Sequence, residues 1–215
     1  MPLSAETPKP LVACPDGRSM LETQIDWLHG FADRVHVTVG YRKDMVAAAA
    51  IAAGAASVTI VGSRGNAAWI GESTLGLLDE PVVVVTADNL MSIDLDGVVD
   101  EFGRLDGASG MLVCVDPPGA TAGDRVESEH GVVTDISHMS NDTRVASGLQ
   151  VLNPARVREA TAGATEFSEI WSQLVQKGTL YVSERSPSRW IAVDRPEDLR
   201  DLALWNLAFD PVTGR

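Results

Sequence analysis

Apolar and polar positions follow two periods along this chain. Residues 35–39, Val-His-Val-Thr-Val, alternate in β-branched side chains and run into Gly40, which predicts a strand. Just upstream, Leu21, Ile25 and Leu28 recur at helical spacing within residues 20–31, with Ser19 at the N-cap position and Glu22 three residues on. Alanine-rich residues 43–53 predict a second helix closed by Gly54, and residues 57–61 a second strand. Residues 68–78 place Ile70, Leu75 and Leu78 on one side of a helix that Gly71 and Gly76 weaken. The unbroken run at 81–86, with four consecutive valines, suits a strand covered on both faces, as in a parallel sheet. Residues 95–105 predict the next helix.

The second half is more mixed. Residues 111–115, 132–136, 149–152, 180–182 and 190–193 read as strands, and 117–124 as a loop rich in Pro and Gly. Residues 167–177 set Phe167, Ile170, Trp171, Leu174 and Val175 on one helical face, with Gly178 as the stop. Residues 196–209 predict a terminal helix with Pro196 in its first turn. Its Trp205 and Phe209 can pack within the domain or against a second copy, so a homo-oligomer stays open. Helices alternate with strands, no repeat or linker interrupts the order, and one α/β domain is expected over residues 1–215.

Composition narrows the partners. The hydrophobic fraction is 45% and the charged fraction 22%, and the formal net charge of -13 disfavours nucleic acid, whose phosphates such a surface repels. It does not disfavour a nucleotide, because a cation held by carboxylates can bridge an acidic site to phosphates. Cys14 and Cys114 stand far apart without a neighbouring Cys or His at ligand spacing, and read as reduced thiols. There is no apolar run of bilayer length and no secretory core near Met1, so a cytoplasmic protein without membrane partners is expected.

Three segments carry candidate chemistry. Asp88, in Ala87-Asp88-Asn89, follows the four-valine strand, and ligands of open α/β sheets bind beyond such strand ends. A carboxylate there calls for a cation such as Mg²⁺, or equally caps the turn that follows. Asp194, in residues 188–199, again ends a short strand; it reads as a metal ligand or as the N-cap of the helix at Pro196, with Glu197 completing a capping box. Lys9 lies between Pro8 and Pro10, which restrict its backbone and suit it to hold a phosphate, or leave it as a solvated lysine. His29, His36, His130 and His138 show no pairing pattern and read as surface or packing residues.

Taken together and in order, PLSAETPKPLV, GRSMLETQIDWL, VHVTVGY, VVVVTADN, SGLQVLNP, FSEIWSQLVQKGTLYV and RWIAVDRPEDL resemble the sugar nucleotidyltransferase family, which includes nucleotide-sugar pyrophosphorylases and phosphocholine cytidylyltransferases. The resemblance implies a three-layer Rossmann-like fold, a mixed and mainly parallel sheet with helices on both faces. It implies transfer of a nucleoside monophosphate from a triphosphate to a sugar 1-phosphate or similar acceptor, with Mg²⁺ held by Asp88 and Asp194 and phosphate met by Lys9. Asn66, Glu72, Ser73 and Thr74 match the region near the base, and Gly148 and Asn89 the region near the acceptor. Tyr41 falls in the family's "GY" pair and is expected in core or turn packing.

The sequence also departs from the family pattern. The family opens with a strand and a "G-x-G-T-R" phosphate loop directly before the segment that Pro2-Leu3-Ser4 resembles, so the resemblance implies that this first central strand and loop are lacking. Ala87 stands where a Gly is usual, and Val115-Asp116-Pro117 replaces the "E-K-P" acceptor segment. The other reading is accordingly a non-catalytic relative that binds a nucleotide or a protein.

Overall fold

The computed structural model describes residues 7–62, 65–71, 73–116, 123–138, 142–161, 163–195 and 198–205, with backbone alone for 203–205. The strands are β1 (His36–Val39), β2 (Ser57–Ile60), β3 (Val82–Val85), β4 (Asn89–Ser92), β5 (Gly110–Val115), β6 (Arg125–Glu129), β7 (Val132–Ser137), β8 (Val145–Leu152), β9 (Leu180–Val182) and β10 (Arg189–Ala192). The helices are α1 (Met20–His29), α2 (Lys43–Ala52), α3 (Ala68–Gly71), α4 (Leu95–Gly103), α5 (Pro154–Ala160), α6 (Phe167–Lys177) and α7 (Asp198–Trp205), with 3₁₀ turns at Lys9–Leu11 and Thr74–Leu77. No helix among the described residues is long and apolar enough to cross a membrane.

The chain forms two compact units that interleave in sequence. The first takes Met1–Ile60, Ala87–Leu90 and Ile191–Arg215; the second takes Val61–Thr86 and Met91–Trp190. In the first unit, β1 and β2 pair in parallel with His36 opposite Ser57. Leu21 and Ile25 of α1 and Val46 and Ala50 of α2 pack with Val35 and Val39 in one buried cluster. A second cluster joins Val12, Cys14, Met20, Leu90, Ile191, Val193 and Leu202. The helix starts follow the sequence: Ser19 accepts the Glu22 N–H while Glu22 accepts the Ser19 N–H, a complete capping box.

The second unit carries a six-stranded sheet in the order β3-β8-β5-β9-β7-β6. It is mixed, as expected, but its pairings are mostly antiparallel; β5 with β9 is its parallel pair. Phe167, Ile170 and Leu174 of α6 bury against Leu112, Leu152, Leu180 and Val182. The end of α6 matches its sequence signal, with Gly178 closing it at φ +66, and at its start Glu166 and Glu169 form a capping box.

Two expectations change. The valine run is not a doubly covered parallel strand: β3 lies at the sheet edge, pairs antiparallel with β8, and leaves all four valines half-buried. Its hydrophobicity is set by one packed face, and a four-residue edge strand tolerates the exposure of the other. The helix expected over 68–78 breaks into α3 and the Thr74–Leu77 turn, because Gly71 and Gly76 supply little helix propensity. Of the two places expected for Tyr41, core or turn, the structure gives the turn: it is 63% exposed just before α2, with the Arg42 guanidinium 5.8 Å from its ring centre. Pro196, Glu197 and Phe209 lie outside the described residues, as does the Trp205 side chain.

Candidate functional site

Lys9, Asp88 and Asp194 come together in the first unit. Pro8 opens the single 3₁₀ turn Lys9–Leu11, with the Leu11 N–H on the Pro8 carbonyl at 2.8 Å and the Val12 N–H on the Lys9 carbonyl at 3.1 Å. Met20 N–H then bonds the Val12 carbonyl, tying this turn to the start of α1. The lysine therefore leaves a fixed, proline-flanked backbone, and its four-carbon stem carries the ammonium to the aspartates.

The two aspartates are far apart in sequence and adjacent in space for a backbone reason. Val193 donates its N–H to the Asp88 carbonyl at 2.9 Å, so Asp194 begins one residue from Asp88. Beneath them Val193, Leu90 and Ile191 are buried in the same apolar cluster. On another side, the buried Gln24 of α1 donates from its amide to the Asn89 carbonyl, which fixes the turn that carries Asp88.

Lys9 Nζ lies 2.6 Å from Asp194 Oδ1 and 3.6 Å from Asp88 Oδ2. The other Asp88 oxygen, Oδ1, accepts a 2.9 Å hydrogen bond from the Asn89 side-chain amide. Burial works against the Lys9 charge, but the Asp194 hydrogen bond and the fields of both carboxylates prevail and hold its pKa above the ordinary value. The Asp88 side chain is 32% exposed and that of Asp194 58%, so both carboxylates remain open to a solute.

A neighbour holds the turn that carries Asp194. Asp198 Oδ2 accepts the backbone N–H groups of Asp194 at 2.9 Å and Arg195 at 2.7 Å. The Asp194 carboxylate itself meets Lys9, and Glu197, the capping-box partner expected for it, lies outside the described residues. Sequence reasoning missed Asp198 and Gln24. A carboxylate four residues past Asp194 was a readable capping signal, whereas the long-range bond of Gln24 left no local trace.

The resemblance implies Mg²⁺, and the residues fit it. Both aspartates already face one cationic atom, the Lys9 ammonium. No group of three or more His, Cys, Asp or Glu gathers among the described residues. Two carboxylates suffice for Mg²⁺, which keeps several waters and takes phosphate oxygens as further ligands.

The other sequence candidates, apart from Asn89, belong to the second unit. The Asn66 side-chain oxygen accepts the Phe167 N–H at 2.5 Å, and the Asn66 N–H donates to the Glu166 carboxylate, so this residue ties its loop to the start of α6. Buried Ser73 donates to the Ile70 carbonyl at 3.0 Å, and Thr74 is exposed at the start of its 3₁₀ turn. Gly148 interrupts β8 at φ +85, and its carbonyl accepts the Thr86 N–H at 2.9 Å. Glu72 lies outside the described residues. The histidines serve packing and turns: His36 Nδ1 meets Ser57 Oγ at 2.7 Å, His29 meets the Gly54 carbonyl, and His138 sits 3.4 Å from Asp124. Cys14 and Cys114 are free and buried.

This mixed α/β architecture is shared with solved nucleotidyltransferase structures. The chain is similar to the inositol-1-phosphate CTP transferase from T. maritima, at 14% identity and TM-score 0.73 over 94% of this chain and 88% of that one. It is similar to a putative glucose-1-phosphate thymidylyltransferase from Bacillus anthracis, at 15% identity and TM-score 0.73 over 95% and 88%. It is also similar to the CTP:phosphocholine cytidylyltransferase from Streptococcus pneumoniae, at 18% identity and TM-score 0.69 over 94% and 90%. At these identities the likeness is one of fold. No protein-family model and no curated protein sequence matches the chain.

Proposed function

We propose that this chain is a Mg²⁺-dependent nucleotidyltransferase that moves a nucleoside monophosphate from a triphosphate to a sugar 1-phosphate or similar phosphorylated acceptor. The observation that carries this reading is the convergence of Asp88 and Asp194 on one cationic point beside Lys9, on a fold shared with such transferases.

An acceptor phosphate oxygen attacks the α-phosphorus; the new O–P bond forms as the bond to pyrophosphate breaks, and pyrophosphate leaves with that electron pair. The attacking oxygen is already ionised near neutral pH, so no residue is required as a general base, and no histidine or cysteine is needed as nucleophile. Asp88 and Asp194 hold the divalent cation, which when bound neutralises phosphate charge. Lys9 adds a second positive charge, aimed by its fixed turn, and the Val193–Asp88 backbone bond keeps the two carboxylates together.

The test is pyrophosphate release with each of the common nucleoside triphosphates against a panel of sugar 1-phosphates, inositol 1-phosphate and phosphocholine, with Mg²⁺ present. Turnover that drops at least about 100-fold in Asp88→Asn and Asp194→Asn supports the reading. Nucleotide binding without turnover across the panel favours a non-catalytic nucleotide-binding relative instead.

A further inference from the structure

We propose that Lys9 is an internal counter-ion that keeps the paired carboxylates of Asp88 and Asp194 together and must be displaced when a divalent cation enters. The inference rests on the proposed function above and adds a regulatory step at the same site.

Two carboxylates drawn to one point repel each other unless a positive charge lies between them. Here that charge belongs to the chain itself, 2.6 Å from Asp194 and 3.6 Å from Asp88. An ammonium and a divalent cation cannot occupy one position. The asymmetry tells which contact gives way first: the Asp88 oxygen facing Lys9 is beyond hydrogen-bond length, while its other oxygen is held by Asn89.

The magnitudes allow the exchange. Ion pairs exposed to this degree contribute little net free energy, so an incoming dication has only a weak competitor to remove. The backbone of Lys9 need not move, because rotation along its stem withdraws the charge from a turn that Pro8 and Pro10 keep in place. The displaced ammonium stays near the cation and lacks an anion until a polyphosphate arrives. Metal and polyphosphate therefore favour each other through Lys9: each leaves the other a better site.

The experiment has two readouts besides turnover. The first is Mn²⁺ affinity, from the signal of free Mn²⁺, for the wild type, Lys9→Met, Lys9→Gln, Asp88→Asn and Asp194→Asn, with and without inorganic pyrophosphate. Both lysine variants are expected to bind Mn²⁺ alone about fivefold tighter than wild type and to gain less from pyrophosphate. The second is acylation of Lys9 by an amine-reactive ester, read by mass spectrometry against Lys43 and Lys177, the other two lysines of the sequence. Mg²⁺ is expected to raise Lys9 labelling, pyrophosphate to lower it again, and Asp194→Asn to raise it without metal.

If Mn²⁺ binds in an aspartate-dependent way but Lys9→Met and Lys9→Gln bind equally or more weakly, displacement is wrong and the metal site stands. Lys9 labelling unchanged by Mg²⁺ overturns displacement in the same way. If no variant shows aspartate-dependent Mn²⁺ binding, the metal site itself is wrong and the inference goes with it. Thermal melts without metal establish that each variant is folded.

Discussion

Asp198 accepts the backbone N–H of Asp194 at 2.9 Å, while the Asp194 carboxylate lies 2.6 Å from the Lys9 ammonium. The Asp198 side chain is 15% exposed and also takes the Arg195 N–H at 2.7 Å. It acts on the site through the turn, without touching the cation position. Replacing Asp198 with Ala is expected to cost about 1 kcal/mol of stability, the usual value of a helix-start cap. Mn²⁺ affinity should fall severalfold as well, since the Asp194 backbone loses its anchor. Asp198→Asn should restore both, because an amide oxygen accepts the same N–H groups. Denaturant midpoints and Mn²⁺ titrations check this; an Asn variant as impaired as the Ala variant would mean that the charge of Asp198, rather than its cap, matters.

Gln24 is the second support. Its side chain is buried, and it bonds the Asn89 carbonyl from α1. Gln24→Leu keeps approximate volume but leaves that carbonyl without this donor, which should cost about 1–3 kcal/mol. The turn carrying Asp88 should loosen, so the loss of Mn²⁺ binding ought to exceed that of a control such as Gln173→Leu on the half-exposed face of α6. Equal Mn²⁺ affinities in the two variants would confine Gln24 to stability.

How much of this was readable beforehand follows the range of the interactions. Ser19 with Glu22, and Gly178 after Lys177, are local signals, and α1 and α6 start and stop where those residues direct. Asp88, Asp194 and Lys9 could be singled out, because strand-end carboxylates and a proline-flanked lysine are visible in the chain. That Asp194 meets Lys9 was not readable, since the two stand 185 residues apart and only the fold brings them together. The edge position of Val82–Val85 was hidden for a similar reason. It is set by pairing with Leu149–Leu152, far along the chain, and four valines look alike in an edge strand and a central one. Arg125–Glu129 escaped notice because only Val126 in it is buried, and the bond from the first N–H of α6 to the Asn66 oxygen spans 101 residues and left no local trace.

Gly148 gives a backbone prediction. Between the register pairs Leu112–Gln150 and Cys114–Ala146, residues 147–149 stand opposite Val113, so β8 bulges there. Ser147 Oγ donates to the Val113 carbonyl at 2.7 Å, and Trp190 Nε1 to the Ser147 carbonyl at 2.8 Å, which leaves the bulge little freedom. At φ +85, Gly148 adopts a conformation that a Cβ opposes. Gly148→Ala should therefore lose about 1–2 kcal/mol in a denaturant melt. Gly107, at φ +72 with open space around a added Cβ, is the matched control for strain without the bulge's bonds. A Gly148→Ala cost no larger than that of Gly107→Ala would show that the bulge relaxes around the methyl group.

Cys114 makes stability depend on pH in a direction that can be worked out. Burial pushes its thiol up to about 12 from an ordinary 9.0, with Arg144 pulling it down and Asp142 up by smaller amounts. The folded chain thus holds the proton more tightly than the unfolded chain. This contribution is fully present below pH 9 and declines as pH rises toward the folded value, by about 1.4 kcal/mol for each unit above 9. Cys114→Ala removes the thiol and should melt at a lower denaturant concentration at pH 8, because the core loses a sulfur. Between pH 9 and 10.5, however, its stability should fall less steeply than that of the wild type, and the gap between the two should narrow. Every other ionisable group is common to the two proteins, so the difference in slope isolates Cys114. Parallel slopes would show that the thiolate finds solvent or a cation in the folded chain, and that burial does not control this thiol.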